Sequence, residues 1–116
     1  MSKGDKYLPV MFYCTGAGNE PVREWLKSLD AKDRKAIGED IKTVQYGWPM
    51  GMPLVRKMSD GLWEIRSHLA GRIVRVLFTE YKAMLVLLHG FIKKTQETPL
   101  SELELARRRL KEVQEQ

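Results

Sequence analysis

One cysteine, Cys14, and two histidines, His68 and His89, are all that this 116-residue chain holds of the soft metal ligands. A single thiol excludes an intrachain disulfide framework and a thiolate-rich metal site. The histidines have no His-x-x-x-His partner and no Cys/His spacing, so neither a metal nor any other cofactor is expected. Nothing near Cys14 in sequence would activate it, so a cysteine nucleophile is unsupported, and a serine nucleophile equally so. Long apolar runs are also missing. The most apolar stretch, Ala83 to Leu88, is far too short to cross a bilayer, and no such run follows the lysines of Met1 to Lys6. A cytoplasmic protein with no membrane partner is expected. Acid is scarce relative to base: 15 Asp+Glu against 20 Lys+Arg give a formal charge of +5. That balance suits a polyanionic partner without specifying one. With 43% apolar residues, residues 1–116 can build one domain with its own core.

The charge is unevenly spread. Residues 1–58 carry +3, the much shorter stretch 59–94 again carries +3, and residues 95–116 carry −1. Around this dense positive middle the periodicities predict an α+β order of β-α-α-β-β-β-α. Tyr7 to Cys14 reads as a strand, with Pro9 marking an edge or an end. Thr15-Gly16-Ala17-Gly18-Asn19 is a turn cluster; no third glycine or Gly-Lys-Ser makes it a phosphate loop. Asn19 is the expected cap of a short helix with Pro21 in its first turn and Val22, Trp25, Leu26 and Leu29 at helical spacing. Asp30 opens a second helix that buries Ile37, Ile41 and Val44 and stops near Gly47, before Trp48-Pro49. Met50 to Asp60, with its glycines and prolines, reads as a loop carrying Arg56 and Lys57. Leu62–His68, Arg72–Thr79 and Met84–Phe91 follow as strands whose short connections imply antiparallel pairing. A last helix opens either at Thr98-Pro99 or at a Ser101-x-x-Glu104 capping box, with Leu103, Ala106, Leu110 and Val113 on its buried stripe.

The polar side of the middle strands is ionic rather than generically polar. Trp63 and Ile65 share one face, and Glu64, Arg66 and His68 the other. On the next strand Arg75 shares a face with Ile73 and Leu77. A guanidinium there needs a carboxylate or an anionic ligand, because burying it alone is costly. Glu64 is the nearest partner by strand order, and it can pair with either Arg75 or Arg66. The last strand ends His89-Gly90-Phe91-Ile92-Lys93-Lys94. There an aromatic ring beside two lysines can stack a base while the lysines meet phosphates. Core packing of Phe91, a structural His89 and a solvated lysine turn fit the same residues.

Three runs together, Gly61-Leu62-Trp63-Glu64-Ile65-Arg66, Gly71-Arg72-Ile73-Val74-Arg75-Val76-Leu77-Phe78 and Leu88-His89-Gly90-Phe91-Ile92-Lys93-Lys94-Thr95, resemble the phage-derived Gp49-like branch of the RelE/ParE superfamily. These are the HigB-type toxins of type II toxin–antitoxin systems, and the resemblance continues through Thr98-Pro99-Leu100-Ser101-Glu102-Leu103-Glu104-Leu105-Ala106. It implies a RelE-like small antiparallel β-sheet with an N-terminal helical hairpin and a C-terminal helix. It also implies a metal-independent endoribonuclease that cuts mRNA on the ribosome and inhibits translation, by attack of the 2′-OH on the adjacent phosphate. The implied partners are a HigA-like helix-turn-helix antitoxin, the ribosome with its mRNA, and operator DNA through the antitoxin alone. Arg75 matches the superfamily's strand arginine and is expected to stabilise the phosphate. Glu64 and Arg66 match the acid–base and phosphate-binding positions of the preceding strand. Lys93 and Lys94 match the basic end of the last strand, with His89 a further acid–base candidate. Phe91, Arg72, Lys57 and Arg56 are expected to contact RNA. Many relatives carry a tyrosine or a histidine–tyrosine pair at this edge, where the chain has Phe91-Ile92-Lys93-Lys94, so a lysine or His89 would have to deliver the proton. Gyrase-poisoning members share the same fold.

Overall fold

The structure, a computed structural model, describes residues 7–93 and 97–116. The expected site residue Lys94 lies outside them.

The chain starts with a short strand, β1 (Val10–Phe12), followed by α1 (Pro21–Lys27) and α2 (Ala31–Gly47). Four strands come next: β2 (Val55–Ser59), β3 (Leu62–Leu69), β4 (Arg72–Tyr81) and β5 (Met84–Lys93). The last element is α3 (Leu100–Gln114). They form one five-stranded sheet in the order β1-β5-β4-β3-β2. β2 through β5 pair antiparallel, as short hairpin connections require. β1 instead lies parallel to β5, with Val10 opposite Leu85 and Phe12 opposite Leu87. The sheet is therefore mixed, not wholly antiparallel. The cause is the helical hairpin between β1 and the rest, a crossover long enough to bring the chain back in the same direction.

The other departure is β2, which occupies the stretch read as a loop, so the order is β-α-α-β-β-β-β-α. Only Val55 of β2 is buried, because an edge strand with one covered residue shows no alternation. A bulge at Met58, between the Lys57–Trp63 and Ser59–Leu62 pairs, breaks the pattern further. The three hairpin turns explain the rest of the order. Gly61 and Gly71 take φ of +74° and +69° at the first two, and Lys82 and Ala83 take +50° and +62° at the third.

Each face of the sheet has its own core. On one, α1 and α2 bury Val22, Ile37, Ile41 and Val44 against Val55, Ile65, Val74, Val76, Phe78, Leu85 and Leu87. On the other, Ala106, Leu110 and Val113 of α3 pack on Leu62, Leu77, Val86, Leu88 and Phe91. Asp30 precedes α2 as expected, but Glu20, not Asn19, precedes α1, and Pro99 precedes α3. None of the three supplies a side-chain cap. No helix among the described residues is long and apolar enough to cross a membrane.

Candidate functional site

Strand pairing lays the ionic residues out as a grid on the face shared with α3. One row runs Arg56, Glu64, Leu77, His89 across β2, β3, β4 and β5. The next runs Arg66, Arg75, Phe91, and the third His68, Ile73, Lys93. Neighbouring strands lie about 4.8 Å apart and alternate residues along a strand about 7 Å apart, so the grid is only a few nucleotides wide. α3 covers the Leu62–Leu77–Val86 end, leaving Arg56 and His68 exposed and Lys93 half-buried.

At the centre of the grid is an ion pair. Arg75 and Glu64 both have 0% exposure. Arg75 Nη1 donates to Glu64 Oε1 at 3.1 Å and to Thr98 Oγ1 at 3.1 Å, and the Thr98 hydroxyl donates to Glu64 Oε2 at 2.5 Å. Arg66 Nε lies 3.6 Å from the same Glu64 Oε1. Glu64 thus pairs with both arginines, and the two alternatives open in the sequence are realised together. Burial pushes the Arg75 guanidinium below its usual value and Arg66 and Arg56 push the same way, while the Glu64 charge opposes them. One carboxylate against two arginines leaves the cluster one positive charge in surplus, the balance that attracts an anion.

His89 stands at the end of the first row. Its Nε2 meets Glu102 Oε1 of α3 at 2.5 Å, and its ring stacks on Phe91 at 5.6 Å with an interplanar angle of 26°. Phe91 is buried, with its ring in the α3 core rather than presented to solvent. The strand reaches this arrangement through a bulge: Leu77 pairs with His89 and Phe78 with Leu87, leaving Leu88 unopposed. Arg109 Nη1 donates to the Leu88 carbonyl at 2.8 Å, with its guanidinium 5.0 Å over the Tyr13 ring. Gly90, on the far face, has no room for a side chain: a Cβ there would sit 2.3 Å from Trp25.

Two expected contacts are not in the grid. Lys57 pairs with Trp63, so it lies on the opposite face, and its Nζ is 4.0 Å from Asp60. Arg72 also faces the helical hairpin, where its Nη2 donates to both oxygens of Asp33 at 3.1 and 3.0 Å. A one-residue step along a strand reverses the face, so neither cation joins Arg56, Arg66 and Lys93. Sequence reasoning in turn missed Thr98 as a ligand of the ion pair, Glu102 as the partner of His89, and Arg109. These contacts cross 13 to 34 residues of chain, and no local pattern announces them.

In this small α+β protein the sheet turns an arginine-rich, one-carboxylate face beside the last helix. The family model for the phage-derived Gp49-like proteins matches residues 24–111, most of the chain, and the chain belongs to that family. Membership fits a toxin. No curated protein matches the sequence.

Proposed function

We propose that the chain is the HigB-type toxin of a type II toxin–antitoxin pair, a ribosome-dependent endoribonuclease. The observation that supports this reading most is the grid itself: Arg56, Arg66, Arg75, Lys93 and His89 share one sheet face with a single carboxylate among them. Cleavage by an RNA's own 2′-OH needs three things: positive charge on the crowded phosphate, a route for the 2′ proton, and a donor for the departing 5′-oxygen. Cations suffice for the first. In this reading Arg56 and Lys93 hold the phosphate from the open side of the face, and Arg66, buried beside Glu64, adds its charge from beneath. Arg75, buried beneath, fixes the Glu64 carboxylate and adds its charge from within.

In this reading substrate choice falls to the ribosome and its bound mRNA. A HigA-like helix-turn-helix antitoxin would neutralise the toxin and carry the pair to operator DNA. Induction without the antitoxin should arrest growth and yield discrete new 5′ ends in transcripts, and both should disappear in Arg66→Ala and Arg75→Ala. Circular dichroism of the purified variants separates lost chemistry from lost fold. Full cleavage by folded variants would remove these arginines from the centre. Arrest with intact transcripts and altered DNA supercoiling would favour the gyrase-poisoning reading instead.

A further inference from the structure

We infer that Glu102 positions His89 as the proton donor to the 5′-oxygen leaving group, so that the acid function of the site is held between β5 and α3. The inference rests on the nuclease reading and adds to it a residue from the last helix. Glu102 lies in the first turn of α3, where its Oε1 is 2.5 Å from His89 Nε2. A hydrogen bond on one imidazole nitrogen decides which nitrogen is left for chemistry. With Nε2–H directed at the carboxylate, Nδ1 is the nitrogen that carries the transferable proton. Phe91 stacks on the ring and holds its plane.

The surroundings suit this role. His89 lines a cleft of about 180 Å³ with Pro21, Val22, Trp25, Gly90 and Arg109. α1 contributes no titratable group to it. From α3 come Glu102 and Arg109, the latter held on the Leu88 carbonyl. On β4 the residue opposite His89 is the apolar Leu77, with Arg75 two positions along, and Lys93 lies further down β5. Phe91 pairs with Arg75, so Arg75 lies one strand over and one alternate-residue step along from His89, about 8 Å away on the diagonal. In the proposal the RNA phosphate spans this diagonal from the open side of the face, with its 5′-oxygen toward the imidazole.

In the step itself the 2′-oxygen bonds to phosphorus and its proton passes to water. The bond from phosphorus to the 5′-oxygen breaks, and that oxygen takes the proton from Nδ1. The products are a 2′,3′-cyclic phosphate and a 5′-hydroxyl, and the imidazole recovers its proton from water.

A leaving group that needs no acid tests this directly. The probe is ribosome-bound mRNA with sulfur replacing the 5′-bridging oxygen at the mapped cleavage position. A thiol ionises near pH 8.5 whereas bulk water requires about 15.7, so a thiolate departs unprotonated. On ordinary mRNA, His89→Gln should lose about a hundredfold in single-turnover rate and Glu102→Gln about tenfold, and the double variant should be no slower than His89→Gln. On the sulfur-substituted mRNA both variants should approach the wild-type rate, while Arg66→Ala should stay slow. Loss that persists on sulfur, or variants as fast as wild type on oxygen, would overturn the assignment and leave the nuclease reading standing. A wild-type protein that cuts no ribosome-bound mRNA would overturn both. Glu102 is partly exposed on a helix surface, so Glu102→Gln keeps the fold and carries the test even where His89→Gln does not.

Discussion

Taking the carboxylate from Glu64 would strand the Arg75 guanidinium where no solvent reaches it. Breaking a buried pair by removing one partner costs about 3–5 kcal/mol, because the remaining charge is uncompensated. Glu64→Ala should therefore lower the unfolding free energy obtained from urea melts by an amount in that range. The pair is thus part of the packing as well as of the proposed chemistry. Tyr13 carries a second residue-scale consequence. Its hydroxyl donates to Glu112 Oε1 at 2.6 Å. That bond, burial and the Glu112 charge raise its pKa, against the opposing charge of Arg109. A group whose folded pKa is raised contributes stability below its unfolded value, near pH 10, and loses it as pH climbs through the folded one. Thermal melts should show the wild type losing its advantage over Tyr13→Phe above about pH 10, and keeping it at neutral pH.

Among the elements, the turn from β4 to β5 has an avoidable cost. Lys82 and Ala83 both adopt the left-handed region, with φ of +50° and +62°, which a Cβ disfavours by about 1–2 kcal/mol. Ala83→Gly relieves that strain and adds some unfolded-state entropy, so a net gain of about 0.5–1 kcal/mol is expected in denaturant melts. The elements also differ in how legible they were. α2 was readable end to end, because Ile37, Ile41 and Val44 recur at helical spacing and Gly47 precedes Trp48-Pro49. β3 and β4 were readable because alternation and two-residue turns agree. β2 was not, since its pairing depends on β3 rather than on anything in Val55–Ser59. Of the site, the Glu64–Arg75 pairing could be inferred from strand order. The hydroxyl of Thr98 could not: its residue type suggested a helix cap, and the fold uses it on the ion pair. Arg72 and Lys57 looked like members of a basic patch because composition counts charges without regard to face.

Across the whole molecule, the sheet separates two tasks. The hairpin side is anchored by packing and by the Arg72–Asp33 bridge, and the α3 side is divided between an apolar half and an ionic half. On the proposed reading, binding to single-stranded RNA should weaken with salt through the ionic half alone. Arg56→Glu should lower affinity and flatten the plot of log affinity against log salt by about one unit, whereas Lys57→Glu, on the other face, should change it far less. Filter binding over a salt series would measure both.

The unopposed Leu88 has one more effect, on parity. Ahead of it, the even-numbered Val86 and Leu88 face α3 while Leu85 and Leu87 face the hairpin. Beyond it, the odd-numbered His89 and Phe91 take the α3 side, and Gly90 and Ile92 the other. A single strand therefore runs in two phases, with its structural residues in one and its chemical residues in the other. Carrying the first phase through to Lys93 would put Gly90 where Phe91 belongs, opposite the arginine, and would press a histidine into the Trp25 contact. Comparisons among relatives of this family must therefore be framed separately on each side of the bulge.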